Sequence, residues 1–347
     1  MPDGLAKYGF GIVGAGNIAD IHAEAINALS STRLVGVYSR SLESATTLAN
    51  RFDAQAHDSL EAFLAIPDLD IVCVCTPSGA HLEPAVAAAE AGKHVVVEKP
   101  LEITAERSKQ IIAATQKAGV KLATIFNSRF ADVHVRLKKA LEAGELGTLL
   151  QGDTFVKWYR TQDYYDSGGW RGTWQLDGGG ALMNQAIHQV DLLLWLMGPV
   201  REVFAYAATL NHERVEVEDT LVATLRYESG ALGVLTAATS LYPGQPKVLE
   251  LHGTKGFVRV KDDEVDKWQV EGAEEQGGGG AGEKSVGTFS DPMAMSFENH
   301  RRQLEDFLRA VEEDTSPLVD GQAGLNAVEL IEAIYRSVDS GQPVRLG

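Results

Sequence analysis

Two residues are placed to move a proton or hold a developing negative charge. Lys99 closes the run Glu98-Lys99-Pro100, directly after the apolar stretch His94-Val95-Val96-Val97. An ammonium at the end of such a strand polarises a hydroxyl or carbonyl through a charge-assisted hydrogen bond. Position alone fits a surface lysine equally well. A cis bond to Pro100 would fix the direction of the lysine. His188 lies in Gly178-Gly179-Gly180-Ala181-Leu182-Met183-Asn184-Gln185-Ala186-Ile187-His188-Gln189-Val190-Asp191. Three glycines lead into a helical pattern. Asn184, His188 and Asp191 recur at i, i+4 and i+7, on one face. A polar stripe on an otherwise apolar helix is costly to bury without partners. It reads as an acid–base histidine with an orienting neighbour, or as a hydrogen-bonded core histidine. Asn, His and Asp make a poor zinc set, so no metal is expected.

A third stretch binds rather than reacts. Gly14-Ala15-Gly16-Asn17-Ile18-Ala19 stands between an apolar strand and a helical pattern. This is a GxGxxA dinucleotide fingerprint. Gly14 permits the tight turn, Gly16 lets backbone approach a pyrophosphate, and the small third residue lets helix pack on strand. Asn17 and Ile18 open the helix, whose free N–H groups and dipole favour phosphate. The ribose-binding carboxylate expected about 20 residues on is missing. The second strand instead runs into Ser39-Arg40-Ser41, with no acid before Glu43. Those residues suit a 2′-phosphate, so NADP(H) is favoured and NAD(H) stays open. Thr76 and Pro77 follow the third apparent strand, at the edge where ligands bind in such sheets. His81 joins them as a cofactor candidate, though a helix-start histidine is the plainer reading. Glu98 and Lys99 end the fourth strand at the same edge.

The elements that must carry these residues fall into two patterns. Up to about Asn127, short strands apolar on both faces alternate with helices, the signature of a doubly wound parallel sheet. Beyond it come long alternating strands and turn signals such as Glu228-Ser229-Gly230, which suggest an open, mainly antiparallel sheet. One apolar helix, 180–197, interrupts them, and helices near 297–313 and 321–337 close the chain. The expected fold is α/β. Residues 1–127 form a Rossmann domain and residues 128–347 a substrate-binding and oligomerisation α+β domain, with the closing helices free to pack back on the first. The glycine-rich stretch 271–284 reads as a mobile hairpin loop.

Length and charge bound the function. The 347 residues suit two domains. Lys and Arg total 31 against 48 Asp and Glu, a formal charge of −17. That balance argues against nucleic acid, which needs a basic face, and against an anionic membrane surface. No apolar run approaches the ~20 residues of a membrane-spanning helix. The first residues lack a basic-then-apolar leader pattern. The two cysteines, Cys73 and Cys75, sit i, i+2 on a strand and suit buried thiols. A cytoplasmic location is the expectation.

The GxGxxA turn, Thr76-Pro77-Ser78, Glu98-Lys99-Pro100 and the Gly178-Gly179-Gly180…Asn184…His188…Asp191 helix together resemble the Gfo/Idh/MocA oxidoreductases, over nearly the whole chain. The resemblance implies a Rossmann domain followed by an open antiparallel sheet, and a bound NAD(P). It implies hydride transfer at a carbon of a sugar, cyclitol or nucleotide sugar, in homodimers or homotetramers assembled through the C-terminal sheet. By position, Lys99 matches the family's active-site lysine and His188 its acid–base histidine. Inositol-type members commonly carry aspartate at position 184. Asn184 can hold a substrate hydroxyl but cannot accept its proton, which leans the reading toward other pyranosides or nucleotide sugars. Asn127 and Arg129, after the last Rossmann strand, join Asn184 as substrate candidates. So do Tyr159, Arg160, Trp170 and Arg171, from an aromatic-plus-arginine set that also holds Trp158, Tyr164 and Tyr165 and suits sugar rings. Two other readings use the same fold. One holds the cofactor tightly and drives glycoside elimination or hydrolysis through transient oxidation. The other is a non-catalytic dinucleotide sensor, against which an intact lysine and histidine argue.

Overall fold

A computed structural model describes residues 7–274, 276–277 and 296–347. Most of the glycine-rich stretch 271–284, and the first six residues, lie outside the described residues. The chain divides into two compact units, residues 1–127 with 296–325, and residues 128–295 with 326–347.

The first unit begins β1 (Tyr8–Val13), α1 (Asn17–Asn27), β2 (Thr32–Tyr38), α2 (Leu42–Arg51), β3 (Gln55–His57), α3 (Leu60–Leu64), β4 (Ile71–Val74), α4 (Leu82–Glu90), β5 (His94–Val97), α5 (Ala105–Ala118) and β6 (Leu122–Thr124). The six strands pair in parallel in the order β3-β2-β1-β4-β5-β6. Their alternation explains why they read as continuous apolar runs. Phe10, Ile12, Ile71, Cys73 and Val96 face one cluster, while Val13, Val72, Val74, Val95 and Val97 face the other. The first cluster is closed by Ala19, Ala23 and Ile26 of α1 and by Leu304 and Phe307, C-terminal residues of this unit. β3 is an edge strand of three residues without an apolar run, and the sequence reading passes over it.

The second unit contributes α6 (Asp132–Glu142), β7 (Leu149–Lys157), α7 (Gln162–Asp166), a π-turn (Ala181–Ala186) that runs into α8 (Ile187–Met197), β8 (Val200–Ala208), β9 (Thr220–Tyr227), β10 (Leu232–Ala238), β11 (Val248–Gly253), β12 (Gly256–Lys261), β13 (Glu264–Val270) and β14 (Gln276–Gly277). The chain closes with α9 (Glu298–Glu312) in the first unit, then α10 (Gly321–Ser340), inside which the division falls, and β15 (Val344–Arg345) in the second. Among the described residues this sheet runs β14-β13-β12-β11-β7-β10-β9-β8-β15, antiparallel except where β7 meets β10. β9 alternates strictly, with Leu221, Ala223, Leu225 and Tyr227 buried and Val222, Thr224 and Arg226 exposed. The expected single helix 180–197 is two segments, the π-turn followed by α8.

Candidate active site

In the first unit the β1–α1 turn has the shape its glycines require. Gly14 adopts φ +101°, and a Cβ there would lie 2.6 Å from the Cys75 carbonyl oxygen. Gly16 is the N-cap of α1 and makes no side-chain cap, and a Cβ on it would meet nothing within 4 Å. Gly16 and Asn17 are exposed and Ile18 half-buried, while Ala19 is fully buried against the sheet. The helix thus presents N–H donors beside open space, which fits a pyrophosphate. At the end of β2, Arg40 and Ser41 are exposed and Ser39 half-buried. Ser41 caps α2, its Oγ accepting the Ser44 N–H at 3.2 Å, and Ser39 Oγ accepts the Ser41 N–H at 3.3 Å. A helix N-terminus therefore also faces this corner.

Thr76 and Pro77 are half-buried after β4. His81 is enclosed instead. Its Nδ1 lies 2.8 Å from the Pro100 carbonyl and its Nε2 3.0 Å from the Thr76 carbonyl, so the ring ties two loops together. Lys99 is half-buried, and the Lys99–Pro100 peptide is cis. Glu98, expected near the cofactor, turns inward. Its Oε1 lies 2.8 Å from His22 Nε2 and 3.5 Å from His300 Nε2, and its Oε2 accepts the Lys99 N–H at 3.0 Å. Asn127 donates to His300 Nδ1 at 3.1 Å rather than standing open to a ligand.

In the second unit the three glycines have specific causes. A Cβ on Gly180 would fall 1.7 Å from the Glu218 carbonyl oxygen, and one on Gly179 2.2 Å from the Tyr335 hydroxyl. Glu218 caps the π-turn, accepting the N–H groups of Gly180 at 3.0 Å and Leu182 at 2.9 Å, while Tyr335 donates to it at 3.1 Å. Burial pushes the Glu218 carboxyl up to about 7 against the pull of those donors. His188 is half-buried in the first turn of α8. Asp263, in the β12–β13 turn, sits below the ordinary carboxylate range. Burial opposes its ionisation, and the charges of Lys247, His134 and His188 outweigh that burial.

The stripe read as one polar face serves two purposes. Asp191 is fully buried and receives Arg129 in a two-pronged ion pair, Nε–Oδ2 2.8 Å and NH2–Oδ1 2.5 Å. Burial raises the Asp191 carboxyl to about 6 against Arg129, which leaves it ionised at neutral pH. The substrate expectation for Arg129 therefore gives way to a buried strut behind α8, because its fork is spent on a carboxylate. Asn184 faces the other way. Its Nδ2 donates to Asp177, and its Oδ1 accepts Gln185 Nε2 at 2.6 Å. Asp177 also accepts the Gly172 N–H at 2.9 Å, so a carboxylate stands directly behind the asparagine.

The aromatic-plus-arginine set gathers around the same turn. Gln185 donates to the Tyr164 hydroxyl at 2.9 Å. The guanidinium groups of Arg171 and Arg160 lie 4.7 and 5.6 Å from the Tyr164 ring. Arg160 is buried and donates to Gln185 Oε1 and to the Tyr159 carbonyl, each at 3.2 Å. Arg171 also lies 5.1 Å from the Trp170 ring. Tyr159 packs edge-on to Tyr242, and Tyr165 is buried with its hydroxyl 2.7 Å from Thr239. Asn184, Gln185, Tyr164, Arg160 and Arg171 are thus one connected group. The sequence reading missed His22, His300, Asp177, Gln185, Glu218 and Tyr335. Only His22 carried a local signal, a histidine among alanines on the inward face of α1.

The chain is similar to known proteins. Residues 8–126 match an oxidoreductase family described by its NAD-binding Rossmann fold, and residues 134–259 match the GFO/IDH/MocA C-terminal domain. The myo-inositol 2-dehydrogenase of Thermotoga maritima is 29% identical over 343 residues, covering 97% of this chain and 98% of that protein. The D-glucoside 3-dehydrogenase of Escherichia coli is 26% identical over 357 residues, 96% of each chain. The WlbA dehydrogenase from Bordetella pertussis, solved in complex with NADH and UDP-GlcNAcA, is 35% identical with a TM-score of 0.86, covering 98% of this chain and 99% of its own. No described helix is long and apolar enough to cross a membrane.

Proposed function

The chain belongs to the Gfo/Idh/MocA family of NAD-binding oxidoreductases, and from that premise we propose that it transfers hydride at a carbinol or keto carbon of a pyranoside carried on a nucleotide, using NADP(H) in preference to NAD(H). When bound, the nicotinamide supplies the hydride acceptor or donor. Gly14, Gly16 and the N-terminus of α1 hold the pyrophosphate. His188 takes the hydroxyl proton in the oxidative direction and returns it in the reductive one. Lys99 stabilises the reacting oxygen as charge develops on it. Asn184, backed by Asp177, orients the hydroxyl, and Arg160, Arg171 and Tyr164 give the sugar an aromatic face beside cationic donors. The observation that carries the substrate class is this arginine-aromatic group, together with the UDP-sugar bound by the Bordetella pertussis neighbour.

The test is a panel of UDP-GlcNAcA, myo-inositol and glucose against NAD⁺ and NADP⁺, followed by absorbance of the reduced nicotinamide. The nucleotide-linked sugar is expected to give the highest kcat/KM. A free cyclitol or hexose that outperforms it overturns the substrate class.

The cofactor preference rests on Arg40 with the capped start of α2, and on the missing acid. Because the Bordetella pertussis neighbour was solved with NADH, the two cofactors must be compared directly. Arg40→Ala is expected to weaken NADPH binding by about tenfold, the scale of one charge-assisted contact, and to leave NADH within about twofold. NADH binding more tightly than NADPH to the parent chain overturns the preference.

The outward face of β8 to β10 exposes Tyr206, Val222 and Leu232, at 71%, 45% and 56% of full exposure. An apolar patch of this kind supports assembly of homodimers or homotetramers through the sheet. The buried thiols of Cys73 and Cys75 support a cytoplasmic setting.

A further inference from the structure

The inner side of the first unit's sheet is apolar where α1 and α9 cover it, with one exception. His22 of α1 and His300 of α9 are 0% and 2% exposed, and Glu98 is 5% exposed, all within a cluster otherwise built from Ala19, Ala23, Ile26, Val96, Ile125 and Leu304. Burying a carboxylate and two imidazoles costs several kcal/mol unless their bonds are complete, and apolar residues of the same volume would pack more cheaply. The polar set therefore needs a use.

Its hydrogen bonds converge on one peptide. Glu98 Oε2 accepts the N–H of Lys99 at 3.0 Å, and Oε1 meets His22 Nε2 at 2.8 Å. His300 stands edge-on to His22, ring centroids 5.3 Å apart, with its Nε2 3.5 Å from the same oxygen. Asn127 donates to His300 Nδ1, which leaves the His300 proton on Nε2, toward Glu98. On the far side of Lys99, His81 meets the Pro100 carbonyl at 2.8 Å.

We propose that His22, Glu98 and His300 are a buried positioning device for Lys99, in which Glu98 grips the lysine's peptide N–H through one oxygen and is anchored through the other by the two imidazoles. The proposal rests on the reading of Lys99 as an active-site group. The device also explains why Glu98 precedes the lysine: its carboxylate turns into the buried His22–His300 cluster while Lys99 stays half-buried. Charge balance supports the geometry. Burial disfavours an imidazolium at His22, while the Glu98 carboxylate 2.8 Å from its Nε2 raises its pKa. Burial likewise opposes ionisation of Glu98, but His22 and His300 hold it well below the carboxylate range. His300 is lowered, chiefly by burial, and stays neutral. Cys75 is pushed up to about 11 by burial and contributes no charge. The contact between His22 Nε2 and Glu98 Oε1 thus favours the ionised carboxylate that the Lys99 N–H requires.

The tests use the full chain. Glu98→Gln replaces an acceptor by an NH2 group that opposes either the Lys99 N–H or His22, and kcat is expected to fall about ten- to a hundredfold with cofactor affinity retained. His22→Gln removes the imidazole beside Glu98 Oε1. It is expected to add an acid limb to the kcat–pH profile, because Glu98 loses a partner that favours its ionised form. A purely structural role would instead lower the melting temperature and scale activity equally at every pH. A wild-type profile shape in His22→Gln overturns the device. So does stoichiometric zinc in the purified protein with loss of activity on chelation, which would make the three groups a metal centre. If either variant fails to fold, ¹⁵N-histidine spectra of the parent chain decide: His22 Nε2 is expected to carry a proton hydrogen-bonded to Glu98, and an Nε2 without a proton overturns the proposal. The premise fails separately, through full turnover in Lys99→Ala.

Discussion

Gly180→Ala is expected to destabilise the second unit by about 3 kcal/mol or more, which lowers the melting temperature by about 6–12 °C at ~2–4 °C per kcal/mol for a unit of this size. The cause is space. Gly180 has φ −104°, ordinary for any residue, but its Cβ would lie 1.7 Å from the Glu218 carbonyl oxygen and 2.8 Å from Glu218 Oε2. That carbonyl cannot retreat cheaply. It accepts the Ala181 N–H at 3.0 Å, and the next residue is pinned by Asp219 N–H to Ala208 O and Thr239 N–H to Asp219 O. Moving it would also break the carboxylate cap on Gly180 and Leu182, leaving buried N–H groups unpaired. Gly144→Ala is the control. Gly144 has φ +72° with nothing near its Cβ position, so only the left-handed backbone opposes a side chain, at about 1 kcal/mol. Equal melting temperatures for the two variants would refute this account of the glycine motif.

The same contact marks how far the sequence could be read. The parallel sheet was legible because strands buried on both faces are continuous apolar runs, and the β1–α1 turn because Gly14 and Gly16 answer to local geometry. β3 was not, since an edge strand of three residues buries too little to leave a pattern. The glycines before Asn184 were visible as a motif, but their reason is Glu218, 38 residues beyond Gly180, and Tyr335, 156 residues beyond Gly179. Helical spacing placed Asn184, His188 and Asp191 on one face. The π-turn and the Arg129 ion pair assign Asp191 to the interior and Asn184 to Asp177. Glu98 was read as a ligand-facing residue from its place at a strand end. A side chain's direction there depends on which partners await it, and His300 arrives from a helix about 200 residues later. Sequence pattern thus located the candidate residues, while the groups packed and bonded around them came from contacts distant along the chain.

Lys99→Ala and His188→Ala are each expected to lower kcat by about 10² to 10⁴-fold while leaving the dissociation constant of NADP(H) within about threefold. The split follows from where each residue stands. On the proposed reading the nucleotide is held by the β1–α1 turn and the start of α2, and neither substitution touches those elements. Both side chains are half-buried, and Lys99 is no part of the apolar clusters of the first unit. Their roles differ, so their conservative variants should differ too. Lys99→Arg keeps a cation but spreads it over a planar fork that cannot occupy the same point, and a partial loss is expected. His188→Gln keeps a hydrogen-bond donor yet cannot take a proton, so it should be nearly as slow as His188→Ala. The double Ala variant should lose much less than the product of the single losses, because in the proposed mechanism both residues serve one proton-coupled step. Full turnover by either Ala variant removes that residue from the mechanism. Loss of activity that tracks loss of NADP(H) binding would place its effect in assembling the cofactor site rather than in the chemistry.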